Sequence, residues 1–129
     1  MPPTRLPTAA GCTLQDAGLD WDVIRVPRQL GIAAIAVLGA GCGAVLEYPP
    51  KDVVYYFVAR GTAAGWTVAG THPIGKGGTL VIPPVRCTQP PGPHWRICPG
   101  ERDWLTDART LRVALEDCLR FGSGWERSA

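Results

Sequence analysis

The stretch GTHPIGKGGTLVIPP, Gly70 to Pro84, decides how the chain is read. Its first seven residues fit G-x-x-x-x-G-K, the opening of a phosphate-binding P-loop. A P-loop needs a helix immediately after the lysine, so that backbone N–H groups and the helix N-terminus hold the phosphates. Here Lys76 is followed by Gly77, which has no hydroxyl for magnesium, and Thr79 comes two residues too late. The run TLVI is β-branched and is stopped by Pro83 and Pro84. The stretch therefore predicts a glycine turn leading into a strand, with Lys76 solvated, and argues against a nucleotide-binding α/β unit.

Working outward, DWDVIRVP predicts a strand stopped at Pro27, and RQLGIAAIAVLG a helix. In that helix Leu30, Ala33, Ala34, Val37 and Leu38 recur at helical spacing, and Gly39 ends it. CGAVLEYPP and DVVYYFVARG predict strands, the second being β-branched and aromatic from Val53 to Val58. GWTVAG predicts a short extended piece, TLVI a strand, and His94–Ile97 a small strand inside a Pro/Gly loop. WLTDARTLRVALEDCLRF is an amphipathic helix capped by Thr106 or Asp107. It carries Leu111, Ala114, Leu115, Cys118 and Leu119 on one face and Gly122 as its stop. The expected organisation is an extended N-terminal arm over 1–19, one domain over 20–122 and a frayed tail over 123–129. The fold class is α+β, with a single antiparallel or mixed sheet and two helices packed on one face.

Composition agrees with one domain: 129 residues, 46% hydrophobic and 19% charged. A net charge of +2 does not by itself call for a nucleic-acid or membrane partner. Arginine far outnumbers lysine (only Lys51 and Lys76), and with the abundant Ala, Gly and Pro this fits a high-GC bacterial source. The most apolar run, LGIAAIAVLGAGCGAVL, is broken by glycines and is shorter than the ~20 residues a membrane span needs. With no signal-peptide pattern at the start, a cytoplasmic protein is expected. The five cysteines, an odd number without C-x-x-C, are expected as free thiols, mostly buried.

Several residue groups could carry chemistry. Asp20 and Asp22 stand i, i+2 at a strand start, where alternation puts both on one face and two carboxylates could share divalent cations. Glu47 could complete such a site; equally, Asp20 could cap a turn and Asp22 and Glu47 be solvated. Cys87, His94 and Cys98, with Cys42 or His72 as a fourth ligand, have the donor types for zinc, but only His94-x-x-x-Cys98 approaches its usual spacing. No signature of nucleophilic catalysis surrounds any cysteine. Tyr48, Tyr55, Tyr56, Phe57 and Trp66, with Arg60 and Arg86 nearby in sequence, could form a sheet face that stacks bases. Tyr55 and Phe57 fall on one face and Tyr56 on the other.

VYYFV (54–58), GTHPIGKGGTLVIPPV (70–85) and HWR (94–96) together resemble the second half of the bifunctional DNA primase/polymerase N-terminal domain, of the archaeo-eukaryotic primase superfamily. That family has a strand near H-L-Y-F-R, then G-x-D-h-R-G-x-G-G-Y-h-h-h-P-P-S with h apolar, then a Tyr/Arg-Trp strand. The resemblance spans about a third of this chain, residues 54–96, and is stronger still to small standalone proteins of high-GC bacteria that carry W-D-V-I-R-V-P near their start. The departures fall on the chemistry. Val54 stands in place of the family's histidine, His72 of its aspartate, Ile74 of its arginine and Val85 of its serine. The resemblance implies a scaffold that has lost catalysis and acts by binding a nucleic acid or nucleotide. Arg60, Lys76, Arg86 and Arg96 would hold phosphate, Tyr56 and Trp95 would stack, and His72 would stand in the old acid position. No cofactor is implied. The alternatives are a protein-interaction module, homodimeric in one form, and a small metal-dependent enzyme using Asp20 and Asp22.

Overall fold

The computed structural model describes residues 12–100 and 104–128. In chain order the elements are β1 (Thr13–Asp16), β2 (Trp21–Pro27), α1 (Arg28–Leu38), β3 (Val45–Tyr48), β4 (Val53–Ala59), β5 (His72–Ile74), β6 (Thr79–Ile82), β7 (His94–Ile97) and α2 (Ala108–Ser128). Five strands form an antiparallel sheet in the order β5-β2-β4-β3-β7, and β1 and β6 form a separate antiparallel ribbon. The α+β class and the two helices on one face are as expected; the single sheet is not, because the chain changes sheet at two corners.

The corners are Ala17–Asp20, leading from β1 to β2, and Gly75–Gly78, leading from β5 to β6. They lean on one another. The Ala17 N–H donates to the Gly78 carbonyl at 2.9 Å, and the Gly78 N–H donates to the Gly75 carbonyl at 3.0 Å. Gly77, with φ of +97°, takes the third position of that turn, which only glycine enters easily. Gly18, with φ of +87°, faces the Lys76 backbone, and a Cβ there would stand 2.4 Å from Lys76 Cα. The P-loop-like stretch is thus a corner that hands the chain from the sheet to the ribbon.

Strand alternation splits the core in two. On the helix side Ile24, Val26, Val45, Val54, Tyr56 and Val58 pack beneath Ala34 and Leu38 of α1 and Leu111, Ala114 and Leu115 of α2. On the ribbon side Trp21, Val23, Leu46, Tyr55, Phe57 and Trp95 pack under Leu80 and Ile82 of β6. Phe57 sits among Trp21, Trp95 and Trp104, with ring centroids 5.0, 5.6 and 5.4 Å away. Both faces of the sheet are therefore covered, so β4 is apolar throughout rather than alternating.

Several local expectations are corrected. α1 buries Gly31, Ala34 and Leu38, while Ala33 and Val37 face solvent. The helix leaves β2 without a loop and lies so close to the sheet that a Cβ on Gly31 would meet Val54 Cγ2 at 2.2 Å. Asp107, not Thr106, caps α2: the Thr110 N–H and hydroxyl donate to its carboxylate at 3.0 and 2.8 Å. Thr106 instead accepts the Gly43 N–H at 2.8 Å. The α2 backbone stays helical past Gly122 to Ser128, through most of the expected tail. Of the expected arm, residues 1–11 lie outside the described residues, but 13–16 form β1 and Ala17 is core. GWTVAG is no strand: a 3₁₀ turn over 62–65 leads into it. β5 was not foreseen. It is three residues long and contains Pro73, which an edge strand tolerates. Among the described residues no helix is long and apolar enough to cross a membrane.

Candidate functional site

The register lines up side chains that are far apart in sequence. Arg25 on β2 lies opposite Tyr55 of β4 on one side and His72 of β5 on the other. All three share the ribbon face, at the end of the sheet where the C-terminus of β2 meets the N-termini of β4 and β5. The 3₁₀ turn Pro49–Lys51 brings Lys51 to the same end. Asp52 closes that turn in the left-handed region, with φ of +57°, and its carbonyl accepts the Arg28 N–H at 2.9 Å. On the other side Gly70 and Thr71 approach. Thr71 is fixed by accepting the Trp66 indole N–H at 2.8 Å and donating to the Val68 carbonyl at 2.8 Å.

Between these elements lies an open cleft of about 540 Å³, lined by Arg25, Lys51 and His72 together with Pro27, Val53, Gly70 and Thr71. Among the described residues no carboxylate lines it. Lys51 also borders a narrower slot of about 160 Å³ between sheet and ribbon, walled by Tyr48 and Tyr55. Burial pushes the Tyr55 hydroxyl above its ordinary pKa, and the Arg25 guanidinium, hydrogen-bonded to it, pulls part of the way back. Tyr55 is therefore neutral at physiological pH. The arrangement suits an anion: two full cations and an imidazole around one opening.

The residues expected from sequence to hold phosphate are not gathered. Arg60 lies just past the C-terminal end of β4, its Nη1 donating to the Leu19 carbonyl at 3.4 Å. Lys76 stands on the Gly75–Gly78 corner at that same end. Arg86 is exposed in the loop after β6. Arg96 lies on β7, toward the opposite end of the sheet, and is held by Glu47. The expected stacking pair is corrected outright, since both residues are core. Tyr56 is fully buried under α1 with its hydroxyl donating to the Gly31 carbonyl, and burial pushes its pKa well above the ordinary value. Trp95 is buried with its indole N–H donating to the Pro83 carbonyl at 3.1 Å. Of the expected set only His72 faces the cleft.

The acids do not meet either. Asp20 is exposed in the corner before β2. Asp22 is buried, and its Oδ2 accepts the N–H groups of Gly61 and Ala63 at 3.0 and 2.9 Å. Asp22 pairs with Val58 and Glu47 with Val54, on the two strands flanking β4. Strand rise and spacing put them roughly 16 Å apart. His72 is on the opposite face. Among the described residues no three His, Cys, Asp or Glu side chains come together to hold a metal ion. The zinc candidates diverge too: the Cys87 thiol points to the Pro93 carbonyl, the Cys98 thiol to the Val85 carbonyl, and His94 toward Glu47. All five cysteines are free, but Cys12 and Cys98 are exposed and the others half-buried, so mostly buried thiols is corrected. Burial pushes the Cys42 thiol up to about 11, against a smaller opposing pull from Thr106, which leaves it a poor nucleophile.

Sequence reasoning passed over Arg25 and Lys51. Arg25 had a signal: it is the one cation in an otherwise apolar strand interior, VIRV. Lys51 had none, because only the β3–β4 turn brings it across. No family model matches the chain, and neither do any curated protein or solved structure with which it was compared.

Proposed function

We propose that this protein is a non-catalytic binding domain for a phosphate-bearing ligand, a nucleotide or a nucleic acid, held at the Arg25–Lys51–His72 cleft. One observation carries the reading: a cleft large enough for a mononucleotide-sized group, lined by two full cations and an imidazole and, among the described residues, by no carboxylate. Charge-assisted hydrogen bonds from Arg and Lys suit phosphate oxygens. The sequence resemblance to the primase/polymerase domain supports a nucleotide over other anions. In that likeness His72 stands where the family has an acid, which fits binding without metal-dependent transfer. The Arg-rich composition supports a bacterial source, and the free cysteines support a reducing, cytoplasmic setting.

The test is fluorescence anisotropy at low salt with a labelled single-stranded oligonucleotide and, in competition, ATP. Saturable binding that weakens about tenfold or more in Arg25→Gln and in Lys51→Gln supports the reading. Absence of binding by either probe ends it.

A second reading is favoured by a separate observation. On the outer face of the ribbon Leu14 and Val81 are direct cross-strand partners, 72% and 40% exposed. A paired apolar patch on a ribbon whose strands, among the described residues, pair only with each other suits association with protein, including a second copy. Light scattering showing a concentration-dependent dimer that Leu14→Glu abolishes would favour it.

A further inference from the structure

A second cationic feature lies on the helix side of the same sheet end. Glu47 on β3 has a side chain only 5% exposed. Arg28, the first residue of α1, donates its Nε–H to Glu47 Oε2, and Arg96 on β7 donates from Nη1 to Oε1 at 3.1 Å. His94 Nε2 lies 3.4 Å from the same Oε1, while the other ring nitrogen donates to the Gly92 carbonyl at 2.9 Å. The two arginine side chains remain 41% and 39% exposed.

The geometry is not that of a closed structural ion pair. A guanidinium that serves only a carboxylate usually closes on it with two parallel N–H groups. Here one carboxylate is shared between two guanidiniums, and each spends a single N–H on it. The remaining donors of both forks are not spent on Glu47, and both side chains reach solvent. Buried Glu47 holds one guanidinium at each of its two oxygens while cancelling only one of their charges. Asp52 acts on Arg28 through space and is itself exposed, so water screens it. The first turn of α1 adds no acid and no side-chain cap.

We propose that Arg28 and Arg96, held by the buried carboxylate of Glu47, form a second anion-binding site, separate from the cleft, that takes a phosphate group on the solvent-exposed sides of the two guanidiniums. Planar forks match the oxygen spacing of phosphate, and a lysine at either position would supply charge without the fork. Glu47 is a positioning residue: it touches the arginines and not the ligand. This site does not depend on occupancy of the cleft.

The experiment follows the arginine Nε–Hε resonances of the full chain by ¹H–¹⁵N NMR at fixed ionic strength. Inorganic phosphate and a 5′-phosphorylated dinucleotide are titrated separately. The expected result is saturable shifts of the Arg28 and Arg96 signals with at least one probe, the tighter probe identifying the source of the phosphate. Arg96→Lys, which keeps the charge and is checked for an unchanged melting temperature, should weaken binding about tenfold. The shifts should persist in Arg25→Gln/Lys51→Gln, which disables the cleft. Linear, non-saturating shifts with both probes would overturn the proposal, as would an affinity unchanged in both Arg96→Lys and Arg28→Lys. Loss of the shifts in the cleft variant would show that no separate site exists and would also overturn it.

Discussion

Asp22 offers the sharpest test of the difference between a catalytic acid and an architectural one. Its Oδ2 accepts two backbone N–H groups, from Gly61 and Ala63, and so anchors the turn that follows β4. Its Oδ1 is buried without a hydrogen-bond partner among the described residues. Replacement by alanine removes two charge-assisted hydrogen bonds, together worth about 3–6 kcal/mol, and relieves an orphaned oxygen that costs about 1–3 kcal/mol. Gly61 is exposed, so its freed N–H finds water and the loss falls toward the lower end. The expected net destabilisation is about 2–3 kcal/mol, which lowers a urea midpoint by roughly 1–1.5 M for a domain of this size. Asp22→Asn keeps one oxygen for the two donors but loses the charge, and should cost about 1–2 kcal/mol. Urea unfolding followed by tryptophan fluorescence gives the global number. Native-state hydrogen exchange gives the local one: the Gly61 and Ala63 amides should lose protection first. Phosphate binding should be unchanged in either variant. The reasoning is refuted if Asp22→Ala unfolds within about 0.5 kcal/mol of the parent with unaltered exchange at Gly61 and Ala63, a cost typical of an unremarkable surface change.

Gly31→Ala should destabilise the protein by about 1–3 kcal/mol in the same urea assay. Alanine is the better helix former by about 1 kcal/mol, but its Cβ would meet Val54 Cγ2 at 2.2 Å in a packed core. In Gly31→Ala/Val54→Ala the clash is gone, so the two effects should fall short of adding; strict additivity would show that the contact is not the cause. Glu47 predicts a pH dependence. Burial pushes its pKa up, but Arg28 and then Arg96 more than offset this, leaving it below the ordinary 4.5. A depressed folded-state pKa gives stability that is fully present above the unfolded value and is lost as pH falls through the folded one. Glu47→Gln should therefore be about 1–2 kcal/mol less stable than the parent at pH 7, a figure reduced because both arginines are well exposed, and the difference should shrink below about pH 4.5. A difference that grows on acidification would contradict this assignment.

Most of the elements were legible because each is announced locally. WDVIRVP and VVYYFVA are β-branched and aromatic with proline or glycine at their ends, and ARTLRVALEDCL carries an apolar stripe behind an Asp cap. What was not legible depends on contacts between distant segments. The ribbon exists because β1 finds β6 across two corners, and that requires Gly18 to lie against the Lys76 backbone. Nothing near residue 13 or residue 79 announces the partner. β5 was missed because three residues around a proline carry no period. The exposed face of α1 was misjudged for a related reason. Helical spacing joined Ala33 and Val37 to Leu30, Ala34 and Leu38, whereas only the last three pack on the core, and Gly31, whose close approach to Val54 fixes the buried face, has no side chain to announce it.

The candidate site follows the same rule more strongly. Arg60, Lys76, Arg86 and Arg96 look alike in sequence to Arg25, Arg28 and Lys51, and only the register separates them. Arg25, Arg28, Lys51 and Arg96 lie toward one end of the sheet, where Glu47 and Asp52 are the acids beside them. Glu47 is engaged by Arg28 and Arg96, so its charge does not reach the cleft on the other face. Arg60 and Lys76 stand at the far end, among Asp16, Asp20 and Asp22, and there Arg109 and Arg112 of α2 are offset by Asp107 and Glu116. A net charge of +2 spread evenly would give an anion no preferred approach. Segregated in this way, the same charge leaves one end of the sheet positive on both of its faces, and a phosphate meets the field of that end before it meets any single residue. The small net charge is therefore no argument against an anionic ligand. It averages two ends that the fold keeps about 20 Å apart along β4.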